Sequence, residues 1–275
     1  MQPPAVRTPA VAGRFYPAKP EALARQLDQY LAADPAAPEK IAAALGCMVP
    51  HAGYMYSGHV AGAVFQRLPA RPAYIILCPN HTGRGAPLAI MSKGEWLTPL
   101  GAIPIDTDLA LSLRQSCRLL MEDAKAHEDE HAIEVELPFL QRSAGAFTFV
   151  PIAIGVSRYA ALEALGKGMA EALKTAVGPV LIVASSDMNH YEPDDITRVK
   201  DRKAIDQILA LDPVGLYEVI RREDISMCGY GPAVAMLTAT KELGAKHAEL
   251  IRYATSADTS GDRSAVVGYA GAIIS

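Results

Sequence analysis

The sequence lacks the features of several protein classes. Its four cysteines form no C-x-x-C pair and show no spacing typical of a disulfide framework. The first residues lack the basic and then apolar pattern of a signal peptide, and no apolar run reaches the roughly 18 residues that a membrane-spanning helix needs. We therefore expect a soluble cytoplasmic protein with reduced thiols and no membrane association.

The chain also has little excess charge of either sign. The formal net charge is −4 over 275 residues, and the basic residues are scattered rather than grouped in a stripe. Such a surface offers no site for a nucleic-acid backbone or an anionic membrane, so neither is an expected partner. No linker rich in serine, glycine or proline divides the chain, which predicts one domain over residues 1–275.

Short apolar runs alternate with helical patterns along the chain. The predicted buried strands are Leu45–Val49, Ala73–Cys78, Leu88–Met91, Phe147–Ile154, Val180–Ala184, Glu249–Ala254 and Ala265–Ile274. The predicted helices are Lys19–Ala32, Ser57–Arg67, Asp106–Leu119, Ala132–Gln141, Tyr159–Thr175, Asp195–Leu211, Pro213–Arg221 and Tyr230–Leu243, and Gly94–Ile105 indicates a hairpin. This alternation predicts an α/β fold, a single three-layer α/β/α domain with a mainly parallel or mixed central sheet.

Side chains that can bind metals follow three of the predicted strands. His51 follows one strand in "VPHAGY", His81 follows the next in "PNHTG", and Asp187 and His190 follow a later one in "SSDMNHY". A lone histidine in a turn is more often bonded to the backbone. However, the carboxyl ends of strands in open α/β sheets meet at one crevice, and neutral imidazole is a common ligand of transition metals. The three segments together therefore favour a metal site.

The segment "HEDEHAIEVELPFL" is unusually acidic and has two interpretations. It is either the solvated start of an amphipathic helix, whose carboxylates complement the helix dipole, or one wall of the site. In the second case His131 and Glu134, three residues apart, share one helical face and suit metal ligation or support of a ligand.

Two further polar segments lie later in the chain. Cys228 precedes a predicted helix, a position that favours the thiolate, although a buried inert cysteine is the alternative. The loop "SADTSGDR" consists mostly of turn-forming residues, and its Arg263 is a candidate for binding a carboxylate or phosphate.

Taken together, six segments resemble the Memo family, whose prokaryotic members are also known as protein B of the AmMemoRadiSam system. These segments are "VPHAGYMYSGHVAGAVF", "PNHTG", "EHAIEVELPFLQ", "SSDMNHY", "MCGYGPAVAML" and "TSGDRSAVVGYAG". The resemblance runs from "AGRFYP" at Ala12 to the last predicted strand. It implies a fold similar to that of the class III extradiol ring-cleaving dioxygenases, which hold non-haem Fe(II) with two histidines and one glutamate.

The resemblance also implies roles for individual residues. His51 and His81 match the first two metal ligands, and Cys228 stands where the dioxygenases have the glutamate. His190 matches the acid/base histidine of those enzymes, with Asp187 beside it. A thiolate is softer than a carboxylate, favours zinc, copper(I) or iron, and can itself be oxidised. The cysteine thus separates this chain from the ring-cleaving pattern.

Three functions are compatible with these residues. The first is metal-dependent redox or dioxygenase-like chemistry on a small substrate, with Fe(II) as the expected cofactor and Zn or Cu as alternatives. The second is a non-catalytic module that binds a peptide or an anionic ligand, because animal Memo proteins are associated with phosphotyrosine peptides. The third is zinc-dependent hydrolysis, in which His190 or Glu130 accepts the proton.

These hypotheses also name residues around the crevice, and the resemblance implies partners. Tyr54, Tyr191 and Tyr230 are expected as wall residues of the crevice, and Arg84 and Arg263 as the candidate contacts for an anion. A functional association with radical-SAM proteins and AmmeCR1-type proteins is expected for the prokaryotic members of the family.

Overall fold

The computed structural model describes residues 5–32 and 39–275. Its strands are β1 (Val6–Arg7), β2 (Gly46–Val49), β3 (Ala73–Pro79), β4 (Leu88–Ile90), β5 (Glu95–Thr98), β6 (Gly101–Pro104), β7 (Met121–Glu122), β8 (Thr148–Ile154), β9 (Val180–Ser185), β10 (His190–Glu192), β11 (Ala248–Thr255) and β12 (Val266–Ile274). Its helices are α1 (Pro20–Tyr30), α2 (Tyr54–Arg67), α3 (Thr107–Ser116), α4 (Leu137–Ala144), α5 (Tyr159–Lys174), α6 (Asp194–Leu209), α7 (Pro213–Arg222), α8 (Tyr230–Glu242) and α9 (Ala257–Ser260), with a 3₁₀ turn at Ala124–Ala126.

The main sheet has a parallel centre and antiparallel margins. Its spatial order is β10-β12-β2-β9-β3-β8-β4-β7, and β11 also pairs with β12. The pairs β2–β9, β9–β3 and β3–β8 are parallel, whereas β12 runs antiparallel to β2 and β4 runs antiparallel to β8. The predicted mainly parallel or mixed sheet is confirmed. Strands β2, β9 and β3 lie side by side and end at the same edge, which positions the site described below.

Helices cover both faces of this sheet. In β3, Ile75 and Leu77 join a core with α3, α5, α6, α7 and α8, whereas Tyr74 and Ile76 join a second core with α1, α2 and α4. Alternate residues of a strand point to opposite faces, so a strand that is apolar throughout requires cover on both sides. The predicted three-layer α/β/α architecture is therefore confirmed. None of the described helices combines the length and the apolarity needed to cross a membrane.

The predicted hairpin between Gly94 and Ile105 is present, but it lies outside the main sheet. Its strands β5 and β6 pair antiparallel, and β5 pairs in parallel with the short strand β1 near the amino terminus. These three strands form a separate small sheet. That sheet brings Arg7 against the buried acidic segment.

The prediction of a helix from Ala132 is wrong at its start. Residues 132–136 form turns, and α4 begins only at Leu137, with Pro138 in its first turn. Proline is well suited to the first turn of a helix because it has no backbone N–H to leave unpaired. Upstream, the Glu130 carboxylate accepts the backbone N–H of Ala132, which ties this stretch to a side chain rather than to a helical ladder.

The Arg7 side chain crosses the acidic segment and is almost fully buried. Its guanidinium forms a salt bridge with Glu134 and donates to the backbone carbonyl oxygens of His127 (3.1 Å) and Glu130 (2.7 Å). It also stacks on the Trp96 ring, 4.5 Å from the centroid. Buried charges persist only when they are paired and hydrogen-bonded, so Arg7 fixes the path of this segment.

We expect Arg7→Met to destabilise the protein by about 3 to 5 kcal/mol, because it leaves the Glu134 carboxylate buried without its cation. Chemical denaturation of the full chain measures this loss. Arg142→Met is the matched control, since Arg142 pairs with Asp28 at the surface and its loss should have little effect. Equal losses in the two variants would contradict the assignment.

A second buried acid links α6 to the edge of the main sheet. Asp201 accepts the backbone N–H of Asn189 (2.8 Å) and the hydroxyl of Tyr253 (2.7 Å). Burial raises the pKa of Asp201 to about 7. In the unfolded chain an aspartate titrates near pH 4, at about 3.9. Between these two pH values the unfolded chain has released a proton that the folded chain keeps.

Stability should therefore fall as the pH rises from about 4 to about 7, by up to about 4 kcal/mol from this residue. We expect Asp201→Asn to remove this part of the pH dependence, because the amide does not ionise. Free energies of unfolding measured at pH 5 and pH 8 for both proteins test the expectation. A variant with the same pH slope as the wild type would show that Asp201 is already ionised in the fold.

Candidate metal centre

Three neighbouring strands deliver polar side chains to one edge of the main sheet. His51 lies two residues beyond β2, His81 lies two residues beyond β3, and β9 ends at Ser185, just before Asp187. Because β9 pairs in parallel with both β2 and β3, these ends converge. The ring centroids of His51 and His81 are 5.1 Å apart. The two histidines therefore meet at one crevice, as the rule on the carboxyl ends of strands in open α/β sheets predicts.

His51, His81 and Cys228 form a group with the chemistry of a metal site. One ligand atom from each lies within 4.8 Å of the others, and His51 Nε2 is 3.3 Å from Cys228 Sγ. Cys228 reaches the group from the turn before α8, where its Sγ accepts the backbone N–H of Asp187 at 3.3 Å. Two imidazoles and a thiolate are suitable donors for iron, zinc or copper, so these residues fit such an ion.

Glu130 orients His81. The fully buried Glu130 carboxylate accepts the backbone N–H of His81 at 2.6 Å and lies 2.9 Å from its Nδ1. This contact fixes the ring and directs Nε2 toward the other donors, the arrangement usual for carboxylates behind metal-binding histidines. Burial lowers the pKa of His81, but the Glu130 hydrogen bond and charge outweigh it, so this pKa is raised overall.

His51 and Cys228 are held in a drier environment. Burial, reinforced by the neighbouring His131 and His81, places the pKa of His51 well below its ordinary value, so the ring is neutral and able to ligate. Burial, together with the charge of Asp187, raises the pKa of the Cys228 thiol. A bound cation reverses the second effect, because it stabilises the thiolate directly.

His131 provides a further donor beside this group. Its ring lies 4.8 Å from the ring of His81 and 5.4 Å from that of His51, centroid to centroid. His81, Glu130 and His131 form a second set of atoms close enough to share an ion. The predicted pairing of His131 with Glu134 on a helical face is wrong, because both precede α4 and Glu134 contacts Arg7 instead.

The donors face a cavity of about 610 Å³. Its wall is formed by the donors and His131, by Asp187, His190 and Ser226, and by a largely apolar side of Phe15, Ala52, Gly53, Tyr191, Val267 and Tyr269. No lysine or arginine is among these residues. A metal ion would therefore be the main source of positive charge inside the cavity.

His190 and Asp187 lie at this cavity, as the sequence predicted. His190 Nδ1 is 2.8 Å from the backbone carbonyl oxygen of Ser226, and the backbone N–H of His190 donates to the Ser226 hydroxyl at 2.7 Å. A carbonyl oxygen only accepts, so Nδ1 carries the proton and Nε2 is left as a base. Asp187 accepts the backbone N–H of His51 at 2.8 Å, and burial raises the pKa of Asp187 to about 7.

Of the three tyrosines predicted to line the crevice, one does so. Tyr191 lines the cavity, where it is 77% exposed and adopts the left-handed backbone conformation with φ of 62°. Tyr54 is instead buried and donates its hydroxyl to the Val135 carbonyl oxygen at 2.7 Å. Tyr230 packs its ring near that of Tyr217 and is not among the lining residues.

Two other predicted residues also lie apart from the cavity lining. Arg263 donates to Asp194 at 2.8 Å, and this ion pair within the fold accounts for the position of the Arg263 side chain. Glu134 accepts from Arg7, from the Tyr16 hydroxyl (2.6 Å) and from the backbone N–H of Val11 (3.0 Å). Glu134 therefore stabilises the amino-terminal segment that packs behind the site, and its carboxylate does not hydrogen-bond to the candidate metal donors.

Several lining or supporting residues were missed in the sequence. Ser185 and Ser226 contact the two histidines His51 and His190, but a serine in a polar turn carries little signal on its own. Phe15 and Tyr269 lie in segments that carry the family resemblance, but nothing in the sequence indicated a role for either aromatic side chain. The position of Tyr269 at the cavity depends on the register of β12, which a single sequence does not specify.

Known proteins are similar to this chain over almost its whole length. A sequence profile described as "Memo-like protein" matches residues 7–273. The chain belongs to the Memo family. Similar relatives include the MEMO1 family protein MK0963 of Methanopyrus kandleri, 41% identical over 96% of this chain and 97% of that protein. Another is the MEMO1 family protein Mbar_A1422 of Methanosarcina barkeri, 43% identical over 98% of this chain and all of the relative (100%).

A solved structure supports the fold of this Memo family chain. The uncharacterized protein JW3007 from Escherichia coli K12 superposes with a TM-score of 0.57, covering 81% of this chain and 98% of the other. The two sequences are 14% identical, so the likeness concerns the fold alone.

We expect Glu130→Gln to lower the pKa of His81, because the amide keeps a hydrogen-bond acceptor but removes the negative charge that favours the imidazolium. Titration of the histidine ring signals by NMR measures the change. His190 serves as the internal control, since its Nδ1 faces a carbonyl oxygen of Ser226 rather than a carboxylate. An unchanged pKa of His81 would show that the Glu130 charge does not reach the ring.

Proposed function

We propose that this Memo family protein binds one metal ion through His51, His81 and Cys228 and uses it for redox chemistry on a small substrate. The observation that carries the proposal is the convergence of three donor atoms within 4.8 Å at the wall of a cavity. Fe(II) is the ion we favour, from the family resemblance, and zinc or copper would suit the same donors.

The protein residues would position the ion and its surroundings. Glu130 orients His81, Ser185 lies behind His51, and the Asp187 N–H faces the Cys228 sulfur. When bound, iron would supply electron transfer and open coordination positions for substrate. The cavity beside the donors provides room for that substrate.

Two residues are suited to move protons beside the ion. His190 Nε2 is free to accept a proton from a bound substrate, because Nδ1 is committed to the Ser226 carbonyl. Asp187 has its pKa raised to about 7 by burial, so it exchanges protons near neutral pH. We assign His190 as the general base or acid, with Asp187 as a second proton carrier.

The cavity wall favours an uncharged substrate with an apolar or aromatic part. Phe15, Val267 and Tyr269 form one side of it, and no lysine or arginine lines it. Arg84, a candidate anion contact, is engaged in salt bridges with Glu128 and Asp129. These contacts give little support to a phosphopeptide-binding function in this cavity.

Hydrolysis receives less support than redox chemistry in one respect. Glu130, one of the two candidate bases for a zinc-bound water, already accepts from His81 and from the Ala132 N–H. His190 would then have to act alone. Association with radical-SAM and AmmeCR1-type proteins and a cytoplasmic location remain predictions from the sequence.

Elemental analysis of protein purified without a histidine tag, with and without air, tests the proposal. We expect about one iron per chain in the wild type and its loss in His51→Ala and Cys228→Ala, because each change removes one of three protein ligands. Cys117→Ala is the matched control, since this buried core cysteine belongs to neither group of candidate donors, and it should retain the metal.

Iron in the wild type would justify screening catechol-like compounds for oxygen consumption. Stoichiometric zinc in every preparation would instead favour hydrolysis. Metal content unchanged in both ligand variants, or absent from all preparations, would contradict the proposed site.

A further inference from the structure

A buried chain of hydrogen bonds runs behind His51. Ser185 Oγ lies 2.8 Å from His51 Nδ1, 2.9 Å from Glu136 Oε1 and 2.9 Å from the backbone carbonyl oxygen of Ala132. Ser185 and Glu136 are both fully buried. This series of hydrogen bonds connects the Glu136 carboxyl group to the candidate ligand His51, with the Ser185 hydroxyl between them.

The proton count at Ser185 restricts this arrangement. A hydroxyl donates one hydrogen bond and accepts two. The Ala132 carbonyl oxygen only accepts, so the Ser185 hydrogen points to it. The two remaining contacts are satisfied only when His51 donates through Nδ1–H and Glu136 donates through a carboxylic O–H. An ionised Glu136 would leave two acceptors competing for a single hydrogen.

The surroundings of Glu136 also disfavour a charge. Cys47, Tyr54 and Asp187 interact with it electrostatically, and none of these three groups carries positive charge. Glu136 Oε2 has no hydrogen-bond partner in the described part of the chain. Burial raises the pKa of Glu136 well above its ordinary value. A buried carboxylate without a cation or donors is costly, whereas the neutral acid is tolerated.

We propose that Glu136 is a neutral carboxylic acid that acts through Ser185 to hold His51 in its Nδ1–H tautomer. Glu136 and Ser185 are then positioning residues, and this inference rests on the metal-binding function proposed above. The tautomer leaves the Nε2 lone pair free on the side where Cys228 Sγ lies, 3.3 Å away. A histidine ligand is normally oriented by a partner on its second nitrogen.

The test uses Co²⁺ added to the metal-free full-length protein, because cobalt–thiolate absorption reports both affinity and geometry. Partners behind a ligand typically change metal affinity by about 10- to 100-fold, so we expect a loss of that size in Ser185→Ala and Glu136→Leu. Glu136→Gln should bind within about 3-fold of the wild type, because its amide N–H replaces the carboxylic O–H as donor.

Thr240→Val is the matched control for loss of a buried hydroxyl. Thr240 is buried in α8 and donates to the Leu237 carbonyl oxygen, away from the donor group, so its affinity and cobalt spectrum should match the wild type. A loss of affinity in Ser185→Ala that exceeds the loss in this control then reflects the His51 contact rather than weaker folding.

Infrared spectroscopy provides a readout independent of metal binding. A protonated carboxylic acid has a carbonyl stretch distinct from that of a carboxylate, and the difference spectrum between wild type and Glu136→Gln at neutral pH should contain it. Loss of a carboxylate band instead would overturn the proposal, even if Glu136→Leu fails to fold. Equal cobalt affinity in wild type and Ser185→Ala would overturn it as well.

The failure of the proposed function would look different. If the wild-type protein binds no cobalt, the metal site itself is wrong and the positioning role fails with it. If the wild type binds cobalt but Glu136→Gln loses as much affinity as Glu136→Leu, only the neutral-acid assignment is overturned. The predicted result is binding in wild type and Glu136→Gln, with weaker binding in the other two variants.

Discussion

The structure depends on how three buried carboxyl groups in one short segment are compensated. Glu130, Glu134 and Glu136 are all fully buried within seven residues of chain. Each has a different partner: His81 for Glu130, Arg7 for Glu134, and the Ser185 hydroxyl for Glu136. Because burying an uncompensated carboxylate is costly, these partners determine where the segment lies. Glu130 contacts the candidate ligand His81 directly, and Glu136 reaches His51 through the Ser185 hydroxyl, so the segment that must be stabilised is also the one that orients the site.

The partners of the three carboxyl groups differ in charge, and this difference sets how much negative charge remains near the candidate metal centre. Arg7 provides a full cation for Glu134, whereas Glu130 Oε1 lies 2.9 Å from His81 Nδ1. The proposed neutral Glu136 removes a third charge from the interior. The cavity itself contains no lysine or arginine among its lining residues, so a bound cation would be the main positive charge there. An interior of this kind strengthens the influence of an ion on nearby thiols and carboxyl groups.

Much of this could be predicted from the sequence, and the exceptions have physical causes. Continuous apolar runs identified β3, β8 and β9, and the strand-end rule brought His51, His81 and Asp187 to one edge. These signals are local, and the parallel topology makes them converge. The predicted helix at Ala132 failed because side-chain acceptors and the position of Pro138 compete with helical hydrogen bonds. Arg7 and Tyr269 could not be assigned, since their roles depend on partners far along the chain or on strand register.

The distances along the chain have a consequence for how the centre assembles. Arg7 and Glu134 are 127 positions apart, and His51 and Cys228 are 177 positions apart. During synthesis, His51 therefore emerges long before Cys228, and most of the polypeptide must be made before the sulfur donor exists. Contacts of such high sequence separation form late and slowly. A nascent chain would thus carry exposed histidines without their thiol, and metal capture of the proposed kind would follow, rather than guide, completion of the fold.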